Sequence, residues 1–332
     1  MISWSASVRS DNGSGRWSIR GVIGAVLVSL AVAVCVYVFV QQWPSILESW
    51  QTVRAGTLLT AGCLGMLGLA IHPLCIAEFY GDLEQRGGHR AAIGCAYFIA
   101  NVFRYIPGKV ATVAALLECS GRHGLSRAKV FQAYLAYFGL SVAISLGLTV
   151  AFMLPLVSAS LPVLAVSSLL ACGVCLTFQP DANAFITRAG LRVLRRPDVK
   201  VCRFTLPTLM RAFVLMVLGW GALGLSFALI VNDVGQLSVP GMLICVLVYP
   251  AAYTAGILSL VAPVGFGVRE GLLVAFLTQA FPSLFFGPQG TAVALSLVVA
   301  HRAVMTMVDI PLLAIGIIGG KVLDRRPPEI GG

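Results

Sequence analysis

The stretch from Leu206 to Val231 reads LPTLMRAFVLMVLGWGALGLSFALIV and contains one charged residue, Arg211. As an α-helix it would be about 39 Å long, which exceeds the roughly 30 Å of hydrocarbon in a bilayer. The whole chain has the same character, since 58% of its 332 residues are hydrophobic and 11% are charged. A soluble protein of this composition would expose large apolar patches to water. The sequence therefore excludes a soluble enzyme and predicts an all-α, polytopic integral membrane protein.

Similar apolar stretches recur along the chain, separated by polar or basic segments. By their length they predict about eight transmembrane helices in a single transmembrane domain at residues 22–319. The predicted crossings lie at residues 22–40, 55–77, 130–154, 161–178, 206–231 and 291–318, with two more between 241 and 280. We expect the tails at 1–21 and 320–332 to lie outside the membrane.

The chain carries 23 Lys and Arg residues against 13 Asp and Glu, a formal net charge of +10. Most of the basic residues lie in the two tails and in predicted loops, above all those at 78–90 and 179–205. Cytoplasmic loops are enriched in Lys and Arg, so we predict that both termini and these loops are cytoplasmic in a multi-pass protein of the cell membrane. The charge thus indicates topology, and we expect no nucleic-acid partner.

The first of two interrupted segments spans residues 91–117 and contains N-V-F-R-Y-I-P-G-K at 101–109, with basic residues on both sides. If both flanks are cytoplasmic, the segment must enter the membrane and return on the same side. We predict a re-entrant hairpin that turns at Pro107 and Gly108, and the alternative is one kinked crossing.

The second interrupted segment contains P-V-G-F-G-V-R-E-G at 263–271, with turns expected at Pro263, Gly265 and Gly267. Proline and glycine end or bend a helix, because proline lacks a backbone donor and glycine permits tight reversals. One broken segment in each half of the chain points to a possible inverted repeat with a substrate site between the halves.

Charged residues at membrane depth are candidates for substrate binding, because a charge at the bilayer centre costs at least about 2.5–3.5 kcal/mol. The candidates are Arg104, Lys109, Arg269, Glu270 and Arg302. Their excess of basic over acidic groups favours an anionic ligand, and the planar guanidinium of arginine suits phosphate. The alternative is structural, with Glu270 neutralising Arg302 or Arg104 in a helix-packing ion pair. Arg211 lies near the start of its span, from which its side chain can reach the cytoplasmic interface.

The last predicted span carries a second group of titratable residues. His301, Met305 and Asp309 are spaced at i, i+4 and i+8, which places the histidine and the aspartate on one face of a helix. Together with Glu270 they are candidates for proton coupling, whereas the alternative is a buried histidine held by hydrogen bonds. The scattered histidines suggest no metal site, and no motif suggests a cofactor.

Three motifs taken together suggest a family. N-V-F-R-Y-I-P-G-K at 101–109, G-R-H-G-L-S-R at 121–127 and P-V-G-F-G-V-R-E-G at 263–271 make the chain resemble the lysylphosphatidylglycerol synthase transmembrane region family, over about residues 20–320. In the aminoacyl-lipid synthases of that family this region is regarded as the flippase part, while a separate soluble domain transfers the amino acid. The resemblance implies lipid translocation without aminoacyl transfer. The matching residues are Arg104, Pro107, Gly108, Lys109, Gly265, Gly267, Arg269 and Glu270, while Val264 stands where a glycine is common.

The leading hypothesis is a lipid flippase or scramblase that moves an anionic phospholipid or another phosphate-bearing lipid between leaflets. In this hypothesis Arg104, Lys109, Arg269 and Arg302 hold the lipid phosphate. Two alternatives stay open. One is an integral-membrane enzyme acting on a lipid-linked phosphate or sugar, with Glu270 or Asp309 as its base. The other is a non-catalytic membrane partner of a lipid-modifying glycosyltransferase. The expected partners are membrane lipids, with a homo-oligomer or a lipid-modifying enzyme as further possibilities.

Overall fold

The computed structural model describes residues 53–84, 89–105, 110–156, 204–258, 267–285 and 287–324. Throughout this part of the chain the regular structure is helical, with no strand, which agrees with the predicted all-α class. The predicted spans at 22–40 and 161–178 and the basic loop at 179–205, apart from its last two residues, lie outside the described residues.

The described residues form nine α-helices. They are α1 (Ala55–Glu84), α2 (His89–Val102), α3 (Val110–Arg122), α4 (Arg127–Leu156), α5 (Leu206–Gly235), α6 (Val239–Leu258), α7 (Val268–Ala280), α8 (Pro282–Phe285) and α9 (Gly287–Asp324). A short 3-10 turn at Phe103–Tyr105 follows α2.

Four of these helices, α1, α5, α6 and α9, are long and apolar enough to cross a membrane. They support an integral membrane protein with crossings near residues 55–77, 206–231 and 291–318, as the sequence predicts, and with one crossing that begins close to residue 241. The full count of about eight crossings stays a prediction.

Helix α1 is longer than predicted. The sequence suggests a loop from residue 78, but the helix continues to Glu84. The charged residues that suggested a loop pair with neighbouring elements instead. Glu78 forms ion pairs with Arg90 and Arg211 at 2.5 and 3.3 Å, and Glu84 pairs with Lys129 at 2.5 Å. A run of charge at a helix end therefore marks contacts between helices here.

Helices α1 and α5 lie antiparallel over nearly their whole length. At one end, Asp233 of α5 accepts a hydrogen bond from the Arg54 backbone N–H at 2.6 Å, just before α1. At the other end, Asp82 of α1 accepts hydrogen bonds from the backbone N–H and the hydroxyl of Thr205, just before α5. The residues between Arg54 and Asp82 span about 40 Å as a helix, close to the thickness of a bilayer with its headgroups.

The first predicted interruption appears as a break between α2 and α3, which pack against each other. Each is about 20 Å long and is too short to cross the hydrocarbon alone. That the pair enters and leaves on one side of the membrane stays a prediction. The second interruption precedes α7, a helix of 13 residues that begins directly after Gly267. Gly271, the last glycine of that motif, does not interrupt the helix and continues the first turn of α7.

The backbones of α5 and α6 approach most closely at Gly224. A Cβ atom added to Gly224 would lie 2.4 Å from the carbonyl oxygen of Val246. Pro250, inside α6, has no N–H to donate to that carbonyl four residues earlier. The Gly224 backbone therefore packs against a carbonyl that lacks its usual helical donor, and this contact sets α6 and its tyrosines against α5.

We predict that Gly224→Ala lowers the free energy of unfolding by about 1–3 kcal/mol, because α6 must shift to admit the methyl group. Gly221→Ala is the matched control, since a Cβ atom there meets nothing within 4 Å. The control should be neutral or slightly stabilising, because alanine favours the helix more than glycine. Thermal unfolding of both variants in the same detergent tests this, and equal unfolding midpoints would contradict it.

Candidate functional site

Five charged side chains meet in the middle of the helix bundle, and we call them the charged cluster. Arg302 and Asp309 lie near the centre of α9, Arg269 and Glu270 lie in the first turn of α7, and Arg104 lies in the turn after α2. All five are mostly or fully buried. The structure thus brings together residues from both predicted broken segments and from the last span.

Arg104 and Asp309 form the first ion pair of the cluster, with Nη2 and Oδ2 2.5 Å apart. Asn101 donates a hydrogen bond to the other carboxylate oxygen at 3.1 Å. The Arg104 guanidinium also donates to the hydroxyl of Tyr253 on α6 at 3.4 Å. A buried carboxylate with two such donors holds α2, α6 and α9 in one arrangement.

Close contact between α2 and α9 makes this pair possible. A Cβ atom added to Gly316 would lie 3.0 Å from the backbone oxygen of Cys95, and one added to Gly319 would lie 2.6 Å from the Cys95 sulfur. Two glycines on one face of α9 therefore allow the helices to touch. This contact lies about two turns from Asp309 and places the end of α2 beside it.

Glu270 and Arg302 form the second ion pair, between α7 and α9. Glu270 also accepts a hydrogen bond from the backbone N–H of Gly267 at 2.8 Å, which caps the start of α7. Gly267 has a φ of +86°, a conformation that side chains with a Cβ rarely adopt. The pairing of Glu270 with Arg302 is the structural alternative that the sequence left open.

Arg269 differs from the other two arginines of the cluster. It is 4% exposed, yet within the described residues it forms no ion pair with a carboxylate. Its guanidinium carbon lies 5.3 Å from the ring centroids of both Tyr249 and Tyr253. Its Nε and Nη2 atoms are buried without a hydrogen-bond partner. The aromatic faces partly stabilise the cation, but the N–H groups of Nε and Nη2 have no hydrogen-bond acceptor.

His301 is fully buried on the same helix as Arg302. Its Nε2 lies 3.2 Å from the hydroxyl of Ser226, its ring packs edge-on against Tyr249, and its Nδ1 has no partner. Asp309 lies two turns further along α9, about 12 Å away along the axis. The structure therefore gives His301 and Asp309 different partners, and direct transfer of a proton between them is not supported.

Several predicted site residues lie outside the part of the chain that the structure describes. They are Pro107, Gly108, Lys109, Pro263 and Gly265. Of the predicted turn residues, Gly267 alone is described, at the start of α7.

The aromatic residues around the cluster were not predicted from the sequence. Tyr249 and Tyr253 enclose the Arg269 guanidinium, and Asn101 orients the Asp309 carboxylate. The spacing of the two tyrosines at i and i+4 is a usable signal, because it puts both rings on one face of α6. No such signal indicates which arginine they enclose.

Within the described helices, no three His, Cys, Asp or Glu side chains come close enough to share a metal ion. No protein-family model matches the chain, and no curated protein is significantly similar to it. The resemblance to the lysylphosphatidylglycerol synthase transmembrane region family stays a prediction from the quoted motifs.

We predict that Asp309→Asn lowers the free energy of unfolding by about 3–5 kcal/mol, because it leaves the Arg104 cation buried without its carboxylate. Adding Arg104→Met to that variant should restore most of the loss, since no uncompensated charge then remains. A double-mutant cycle measured by unfolding in mixed micelles tests both statements. Additive losses from the two substitutions would show that the residues do not form an energetically coupled pair.

Proposed function

We propose that the protein moves an anionic, phosphate-bearing lipid between the two leaflets of a membrane, as a flippase or scramblase. The observation that supports this most strongly is Arg269, a buried cation whose Nε and Nη2 atoms have no hydrogen-bond partner. In our proposal, Arg269 binds the lipid phosphate.

An anion at Arg269 would correct an electrostatic imbalance. The charged cluster contains three arginines and two carboxylates, and the two carboxylates pair with Arg104 and Arg302. A buried charge without a counter-charge is strongly unfavourable, whereas a paired and hydrogen-bonded one is tolerated. One singly charged anion would make the cluster neutral.

Phosphate suits this position for two reasons. A guanidinium offers two parallel N–H groups that match two phosphate oxygens, and the unpartnered Nε and Nη2 atoms are such a pair. Arg269 also lies in the first turn of α7, where the helix dipole and unpaired N–H groups favour negative charge. The second effect adds to the first and would not establish a site alone.

The surroundings favour a lipid as the source of the phosphate. The cluster lies among α6 and α9, two of the helices that are apolar and long enough to cross a membrane. A phospholipid can bring its phosphate to this depth while its tails stay in hydrocarbon. Broken helices that meet at mid-membrane are a common site architecture in transporters.

Movement of the lipid would use the two ion pairs as exchangeable contacts. Both pairs end on α9, one from α2 and its turn and one from α7. As the phosphate reaches Arg269, Arg302 and Arg104 can each donate one N–H to a phosphate oxygen while another N–H keeps its carboxylate. A series of such contacts would lower the free-energy barrier to moving a charged headgroup across the membrane. Without them this barrier is high, because a charge at the bilayer centre is costly.

We predict that Arg269→Gln lowers the rate of lipid movement by about 10- to 100-fold, because hydrogen bonds to a charged group each contribute about 1.5–3 kcal/mol. The assay uses proteoliposomes with a headgroup-labelled anionic phospholipid and a membrane-impermeant quencher. Arg211→Gln is the matched control, since this arginine pairs with Glu78 and its side chain is 60% exposed. The control should move lipid like the wild type.

Two outcomes would contradict the proposal. One is wild-type protein that moves anionic, aminoacylated and polyprenyl phosphate lipids no faster than empty liposomes. The other is equal loss of activity in Arg269→Gln and Arg211→Gln at matched incorporation. Mass spectrometry of the lipid after the assay distinguishes translocation from the enzyme hypothesis, because a translocated lipid keeps its mass.

A further inference from the structure

A small cavity lies beside the charged cluster, and the side chains of the ion pairs do not fill it. Its volume is about 90 Å³, enough for several water molecules or a small polar group. It is enclosed by α1 to α6, and Arg104 forms part of its wall. Tyr253 lines the cavity and also stacks against Arg269, so one ring joins the two features.

Three of the side chains that line this cavity have buried polar atoms without a hydrogen-bond partner. They are His72 Nε2, Thr112 Oγ1 and Trp220 Nε1. His72 is 4% exposed and Trp220 is 1% exposed. Buried polar atoms without partners are rare in native proteins. Three around one cavity form a set of polar atoms to which a polar ligand can hydrogen-bond.

The chemistry of these atoms favours a ligand that accepts hydrogen bonds. The indole N–H of Trp220 can only donate, and the Thr112 hydroxyl can donate or accept. His72 Nδ1 lies 2.8 Å from the Tyr137 hydroxyl. When Nδ1 accepts a hydrogen bond from that hydroxyl, the ring hydrogen of neutral His72 is on Nε2, which can then donate to a ligand in the cavity. Oxygen atoms of hydroxyl groups fit all three positions.

An ammonium group does not fit these atoms, although the wall of the cavity is rich in aromatic rings, which can attract a cation. An ammonium only donates hydrogen bonds, so it cannot accept one from the indole N–H of Trp220. The bound phosphate would neutralise the excess positive charge of the cluster, so hydrogen bonding decides which headgroup fits. The hydroxyl oxygens of an uncharged polyol can accept these hydrogen bonds.

We propose that this cavity binds the uncharged, hydroxyl-bearing headgroup of an anionic phospholipid whose phosphate is bound at Arg269. The inference rests on the proposed function and adds substrate selectivity to it. His72, Thr112 and Trp220 are the residues that determine selectivity, while Arg269 binds any phosphodiester. Tyr253, which contacts Arg269 and also lines the cavity, would lie next to both the phosphate and the headgroup.

The test compares short-chain phosphatidylglycerol with short-chain phosphatidylpropanol, which has the same charge and nearly the same size but no headgroup hydroxyls. Binding to the full-length protein in detergent is measured by calorimetry. We expect phosphatidylglycerol to bind about 3- to 10-fold more tightly, the usual effect of one hydrogen bond or two. Phosphatidylethanolamine, with its ammonium group, should bind more weakly than either.

Thr112→Val and Trp220→Phe should each reduce the preference for phosphatidylglycerol toward one, without weakening the binding of phosphatidylpropanol. Thr112→Val keeps the size of the side chain, Trp220→Phe keeps an aromatic ring in a smaller side chain, and each removes a hydrogen-bond donor. Thr291→Val is the control, because that hydroxyl bonds to Gly287 O within its own helix, far along α9 from the cluster. Circular dichroism and gel filtration establish that each variant is folded.

The outcomes separate this inference from the proposed function. If Arg269→Gln weakens both lipids equally and the cavity variants abolish the preference, both proposals stand. If the wild type binds the two lipids equally and Arg269→Gln still weakens both, the headgroup site is wrong and the phosphate site stands. If Arg269→Gln affects neither lipid, both proposals are overturned.

Discussion

The ion pair between Arg104 and Asp309 joins the end of a broken helix to the middle of the longest helix in the described chain. Each charge of such a buried pair depends on the other, because removing either partner leaves a charge that the interior cannot solvate. The helices that carry the two side chains must therefore keep them within contact distance. The close glycine contact of α9 with α2, the Asn101 hydrogen bond and the Tyr253 hydroxyl all maintain that geometry. The Glu270–Arg302 pair extends the same constraint to α7.

The cluster separates two kinds of buried charge. Arg104 and Arg302 are held by carboxylates and connect helices, whereas Arg269 is held by two aromatic rings that attract a cation without neutralising it. This difference is the reason for proposing Arg269 as the residue that binds an anion. The cavity that Tyr253 also lines contains unpartnered donors, and we propose it as an extension of this site.

Helix class and the approximate crossings at α1, α5 and α9 could be predicted from the sequence, because long apolar runs leave few alternatives in a bilayer. Charge at depth also selected the residues that form the cluster. The pairing could not be predicted, since several arginines could reach either acid, and only the packing of α9 decides among them. The loop expected at residue 78 was wrong because the partners of Glu78 and Glu84 lie on other helices, beyond the reach of local sequence.

The length of α9 has a mechanical consequence. Its 38 residues extend for about 57 Å, well beyond the thickness of a bilayer. Such a helix must tilt, bend or project from the membrane, and the tilt changes with the thickness of the surrounding lipid. Pro311, two residues after Asp309, removes a backbone hydrogen bond and gives the helix a point at which to bend. Because Arg302 and Asp309 lie on this helix, a change in membrane thickness that tilts or bends it would also shift these two residues relative to Glu270 and Arg104.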